Sequence, residues 1–142
     1  MHQGVGLLII NKNNNTFFVQ QKDKNYLPEK WINALSFWGG EVETEDMTPY
    51  YALIRELDEE LKFVLNFEKR IKLVDNFLVI SNSDYNFCLY ELFVNNSEFD
   101  LICNSQVSEG VGVIKSKQQL LSTNWVWGLE NVIKKYLCEI VH

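Results

Sequence analysis

Apolar positions in this chain repeat with two different periods. Val5-Gly6-Leu7-Leu8-Ile9-Ile10 is an almost unbroken apolar run, the pattern of a strand covered on both faces. Asn11-Lys12-Asn13-Asn14-Asn15 has turn chemistry, and Thr16-Phe17-Phe18-Val19-Gln20-Gln21 reads as the returning strand. A loop with Pro28 follows, then a third strand near residues 32–37. The period then lengthens. Leu53, Leu57 and Leu61 recur every four residues, which predicts a helix over 49–62 with one buried stripe. Thr48 is a good N-cap for it and Pro49 suits its first position. Residues 71–81 and 86–95 predict a strand pair joined through Asn82-Ser83-Asp84-Tyr85. Another strand is expected over 111–115, a short helix over 116–121 and a closing helix over 130–141. Strands on both sides of a central helix imply a layered α/β sheet.

The polar side of the central helix is unusual. Glu56, Glu59 and Glu60 stand at i, i+3 and i+4, so their carboxylates are neighbours on one face. Like charges at this spacing cost a few tenths of a kcal/mol each, and near a helix C-terminus they also oppose the macrodipole. A divalent cation would reverse that sign, because Mg²⁺ and Mn²⁺ prefer hard oxygen ligands. An isolated acidic face is ordinarily just solvated. Here, however, a glycine turn, Gly39-Gly40-Glu41-Val42-Glu43, feeds the helix.

Gly40, Arg55-Glu56-Leu57, Glu59-Glu60 and Phe63 together resemble the Nudix box, G-x5-E-x7-R-E-U-x-E-E-x-G-U, where U is aliphatic. Ser36-Phe37-Trp38-Gly39-Gly40 and Thr48-Pro49-Tyr50-Tyr51-Ala52-Leu53 are similar to common surroundings of that box. The resemblance implies one Nudix domain over 1–142, an α/β/α sandwich with a mixed β-sheet. It also implies hydrolysis of a diphosphate bond in a nucleoside diphosphate linked to another group: a (deoxy)nucleoside triphosphate, nucleotide sugar or dinucleotide. The cofactor implied is Mg²⁺ or Mn²⁺, held by Glu56 and Glu60, with Glu59 and the Gly39 carbonyl as further ligands. Arg55 would orient the carboxylates. Ser108-Glu109-Gly110-Val111-Gly112 looks like a late segment of many members, making Glu109 a candidate extra ligand or general base; Glu98 and Asp100 are weaker alternatives.

Two departures stand out. One residue too many lies between Gly40 and Arg55, so the loop carboxylate that pairs with the arginine is either Asp46 or Glu45. Lys62 also stands where the family has a glycine for a left-handed helix end. Lysine in that turn would cost something like 1 kcal/mol.

Composition narrows the rest. Of 142 residues 46% are hydrophobic and 13% aromatic, enough for a core without staples. A net charge of −6 argues against a broad nucleic-acid surface but not against nucleotides met through a cation. Cys88, Cys103 and Cys138 have no metal or disulfide spacing, which suits a reducing cytoplasm. No leader or membrane span is expected. Lys22 and Lys30 are candidate phosphate contacts, and Trp31, Tyr26 and Trp38 candidate stacking surfaces, with Trp38 read as core. Trp125 and Trp127 are compatible with core, dimer contact or cavity wall, so a homodimer stays open. His2 and His142 receive no role. The competing class is a weak or inactive Nudix-fold regulatory module that binds nucleotide without turnover. A prenyl-diphosphate isomerase would want a catalytic cysteine near the box, and none is there.

Overall fold

The computed structural model describes residues 2–140, so the expected helix end at Val141, and His142, lie outside the described residues. Strand β1 (His2–Asn11) is the spine. It runs parallel to β6 (Tyr85–Val94) along one edge. Its other edge is shared by β4 (Trp38–Glu41), opposite residues 4–7, and β2 (Thr16–Gln21), opposite residues 9–11, both antiparallel. Strand β2 also carries β7 (Val111–Ser116) and the short β3 (Leu35–Ser36). Strand β5 (Lys72–Val79) closes the far side against β6. One parallel pair among antiparallel ones makes the sheet mixed, as the sequence implied.

The apolar run of β1 is buried on both faces because two helical layers cover the sheet. Val5, Leu7 and Ile9 join Ala52, Leu53 and Leu57 of α1 (Pro49–Glu60) and Phe99 and Ile102 of α2 (Asn96–Cys103). Leu8 and Ile10 point the other way. They meet Leu120 of α3 (Lys117–Ser122) and Val132 and Ile133 of α4 (Glu130–Lys135). Each leucine taken wholly from water contributes about 1.5–3 kcal/mol, so the four-residue stripe is what docks α1. The result is an α/β/α sandwich.

Several local expectations need correction. Gly39-Gly40 is not a turn but part of β4, with Gly39 opposite Gly6 and Gly40 opposite Val5. Glycine is needed because the backbones lie close: at Gly39, φ is 150° and a Cβ would strike the Val5 carbonyl oxygen. The third strand shrinks to β3, since the chain breaks before continuing as β4. Helix α1 stops at Glu60, two residues early, because Leu61 turns out at φ −150°, ψ 64°. A 3-10 stretch, Lys62–Arg70, follows. Lys62 does not adopt a left-handed conformation, so the missing glycine leaves no strain there. Helix α2 was not expected. Its signal was Asn95-Asn96-Ser97-Glu98, a capping box in which each end residue bonds the other's backbone N–H. Helix α4 widens into a π-helical stretch over Tyr136–Ile140.

Candidate active site

The Thr48 side chain accepts from Tyr51 N–H at 3.2 Å and starts α1, so the extra loop residue lies upstream and the helix register is undisturbed. Glu56 and Glu60, one turn apart, then face β4. The Glu56 carboxyl lies against Gly40, where a Cβ would sit 2.6 Å from Glu56 Cδ. Gly39 N–H donates to Glu60 Oε1 at 2.9 Å. Arg55 grips the loop and the helix together. Its Nε and Nη2 donate to Asp46 Oδ1 and Oδ2 at 3.1 and 2.9 Å, its Nη2 to the Glu41 carbonyl at 3.1 Å, and its Nη1 to Glu56 Oε1 at 3.0 Å. Asp46, not Glu45, is thus the arginine's partner. Asp46 Oδ2 also accepts from Glu43 N–H at 2.8 Å, which folds the extra residue into a closed loop.

A second segment reaches the same place. Ser108 N–H and Oγ donate to the carbonyls of Glu60 and Glu59 at 3.2 and 2.7 Å, satisfying acceptors that a helix end leaves unpaired. This staples the Glu109 loop to the end of α1. Gln20, buried in β2, donates to the Glu109 carbonyl at 3.1 Å and accepts from Lys22 Nζ at 2.7 Å. Sequence reading passed over Gln20; its signal was a polar residue ending a buried apolar strand.

Electrostatics follow from this crowding. Burial, reinforced by the charges of Glu56 and Glu109, pushes the Glu60 carboxyl up to about 8, against the opposing pull of Gly39 N–H and Lys22. Burial also raises Glu56, although Arg55 holds it down in part. Lys22 is lowered by burial while Glu60 and Glu109 work the other way.

These groups line a cavity of about 890 Å³. Of the sequence-predicted residues, Glu56, Glu60, Gly39, Glu109, Lys22, Lys30 and Trp31 all border it. Arg55 stands behind the carboxylates, and Glu59 is exposed beside the cavity without lining it. Glu98 caps α2 and pairs with Arg70 at 3.0 Å, and Asp100 is exposed on that helix. Trp38 is core, its Nε1 donating to the Phe18 carbonyl, and Trp125 is core likewise. Trp127 is cavity wall. Its ring meets Trp31 edge-on at 5.5 Å and Tyr26 at 6.4 Å, and Lys22 Nζ lies 4.7 Å from the Tyr26 ring centre. Lys30 covers Trp31 in the same manner. His2 contacts Glu41 at the rim, 2.7 Å away.

Chemically, the arrangement suits a hard divalent ion. Glu56 and Glu60 are partly buried oxygen donors, Glu109 adds charge nearby, and Lys22 is the cation whose charge bears on Glu60. Among the described residues no three Asp, Glu, His or Cys side chains form a ready cation cage; Glu56 and Glu60 are two carboxylates that crowd each other at the cavity wall.

Comparison with known proteins agrees with the fold. No curated protein sequence matches the chain significantly. A MutT structure from work on Aliivibrio salmonicida and Vibrio cholerae is 16% identical, with 98% of each chain covered and a TM-score of 0.64. Shewanella oneidensis NrtR is 13% identical over 95% of this chain and 61% of that one, TM-score 0.68; it has also been solved with a 27mer DNA. A C. elegans Ap4A hydrolase is 12% identical over 96% of both chains, TM-score 0.59. At such identities the likeness is one of fold. The model of the NUDIX domain matches residues 1–98, well over half of the sequence, and with the box geometry now in view the chain belongs to the NUDIX domain family.

Proposed function

We propose that this chain hydrolyses a diphosphate bond in a small nucleoside-diphosphate-linked molecule, a (deoxy)nucleoside triphosphate, nucleotide sugar or dinucleotide, with Mg²⁺ or Mn²⁺. The observation that carries this reading is the crowding of Glu56 and Glu60 at a partly buried site beside a large, aromatic-walled cavity. Glu56 and Glu60 would hold the ion, with Glu59 and the Gly39 carbonyl as further ligands. When bound, a divalent ion neutralises diphosphate oxygens and acidifies a water. Arg55 fixes the orientation of Glu56 through its Nη1 contact and anchors itself on Asp46. Glu109 accepts the proton of the attacking water. Lys22 and Lys30 meet phosphate charge, and Trp31 packs against the group beyond the phosphates.

Residues 1–142 act in this reading as one catalytic domain in the cytoplasm, consistent with three free cysteines. Among the described residues no helix is long and apolar enough to cross a membrane. The net charge of −6 favours a small-molecule substrate over a nucleic-acid polymer, and a homodimer is left to measurement. A substrate panel with Mg²⁺ and Mn²⁺, reading phosphate against pyrophosphate release, tests the proposal. Glu56→Gln and Glu60→Gln should abolish turnover in folded protein; unchanged rates would overturn it.

The second reading is a nucleotide-binding module without turnover. Two departures from the box favour it, the extra residue before Arg55 and Lys62 in the place of the glycine, and among the described residues no three Asp, Glu, His or Cys side chains form a ready cation cage. Titrating Mg²⁺ against tryptophan fluorescence separates the two, because the module has no need to bind the ion.

A further inference from the structure

Gln20 is a polar side chain in an apolar place. It shares one face of β2 with Phe18, is buried, and stands opposite Gly112 of β7 and Ser36 of β3. Burying an amide costs desolvation that only hydrogen bonds offset, and an apolar side chain of that size would fill the space without the cost. Both ends of the amide are engaged. Nε2 donates to the Glu109 carbonyl at 3.1 Å, and Oε1 accepts from Lys22 Nζ at 2.7 Å. The reverse orientation would face donor to donor and carbonyl to carbonyl, so the Glu109 bond is what presents oxygen to Lys22. Gly110 lies against the same side chain. A Cβ there would come 3.2 Å from Gln20 Cγ, which leaves the amide little room to turn.

Lys22, for its part, is half-buried, with Nζ 4.7 Å from the Tyr26 ring centre. The charges of Glu60, Glu109 and Asp23 bear on it. Yet among the described residues it forms no ion pair with any of them. Its close polar partner is the neutral oxygen of Gln20. A carboxylate in that place would hold the lysine but cancel its charge. A neutral acceptor fixes the ammonium and leaves its charge, and two of its three N–H donors, for a group that enters the cavity.

We infer that Gln20 is a positioning residue: its buried oxygen holds the Lys22 ammonium in place, at full charge, for a phosphate group of the substrate. This rests on Lys22 being a phosphate contact, as proposed above. Gln20 itself touches no phosphate, and its whole contribution passes through Lys22. Without the brace, a long flexible side chain must be ordered at the moment of binding, which lowers affinity.

The test reads binding without turnover. Methylenediphosphonate, whose P–C–P bridge water does not cleave, is titrated with Mg²⁺ against the full chain by tryptophan fluorescence; the Trp127 ring lies 6.0 Å from Lys22 Nζ. Lys22→Met should weaken binding at least ~10-fold, the scale of a hydrogen bond to a charged group. Gln20→Met, similar in volume, should weaken it ~5-fold, the scale of ordering one long side chain on binding. Gln20→Asn keeps an amide but draws it back by one methylene, and should do the same. In the double variant carrying Gln20→Met and Lys22→Met, the loss should match Lys22→Met alone within ~2-fold. A glutamine that served packing alone would add its loss to that of Lys22→Met, and this result overturns the inference. So does wild-type affinity in both Gln20 variants or in Lys22→Met, and so does a wild type that binds no diphosphonate. Turnover that Glu56→Gln abolishes would still stand in each of those cases, and the hydrolase reading with it. The expected pattern in a protein without turnover supports the role of Gln20 and sinks the hydrolase instead.

Discussion

Arg55 and Asp46 meet through two parallel hydrogen bonds, 3.1 Å from Nε and 2.9 Å from Nη2, and this contact ties a loop with one residue too many to the acidic helix. The arginine bonds hold the Asp46 carboxyl below the usual carboxylate range. The pair aims the remaining Nη1 at Glu56. Asp46→Asn removes the charge and half of the two-toothed geometry, so Arg55 should lose its anchor and Glu56 its orientation. Activity should fall about 10- to 100-fold, the usual cost of losing a partner that orients a ligand. Steady-state kinetics check this, and partial recovery in Asp46→Glu would assign the loss to the contact.

Why Asp46 and not Glu45 was beyond sequence reading illustrates what the chain discloses about itself. Counting residues leaves both acids in range, and only the fold of the loop, closed by Glu43 N–H on Asp46, selects one. Periodicity, by contrast, identified β1, β2, the start of α1 and the two-sided burial of residues 5–10, because burial acts through side chains that the sequence lists directly. The glycine segment was misread as a turn since glycine marks both turns and close backbone approach, and only strand pairing tells them apart. Glu56 and Glu60 were legible as a pair from helical spacing. The approach of Lys22, Gln20 and the Ser108 staple to the same place was not, because it joins segments dozens of residues apart.

Glu60 predicts a pH dependence with a definite sign. Its carboxyl titrates near 8 when folded and near 4.5 when exposed. A group raised on folding keeps its proton longer in the native state, so stability is fully present below about 4.5 and declines as pH rises towards 8. Burial raises Glu56 in the same direction. In EDTA the thermal midpoint should therefore drop between pH 5 and 8, by the equivalent of a few kcal/mol at about 1.4 kcal/mol per pH unit. Glu60→Gln should flatten the slope. Circular dichroism melts at several pH values decide it, and a midpoint rising over this range contradicts the burial argument.

Glu109 is exposed, comes from a loop, and is held by its backbone through Gln20 and the neighbouring Ser108. Replacing its side chain should leave the loop in position. If it is the base, Glu109→Gln lowers kcat by at least ~10²-fold while KM changes little. A near-wild-type kcat would remove it from the reaction.

Gly40→Ala isolates the close contact between strand and helix. An added Cβ would lie 2.6–2.8 Å from the Glu56 carboxyl atoms, so the carboxylate must swing away from its place beside Arg55. Gly40 is not left-handed, and alanine is conformationally acceptable there. Replacing glycine at such a site restricts the unfolded chain and contributes about 0.4–1 kcal/mol of stability. Activity and stability should thus separate: kcat should fall at least ~10-fold, on the scale of lost ligand orientation, while the melting temperature holds or rises. Combining Gly40→Ala with Asp46→Asn should cost less than the product of the two separate losses, because both changes act through the placement of the Glu56 carboxylate. Additive losses would mean that Gly40 serves the reaction through some contact other than Glu56.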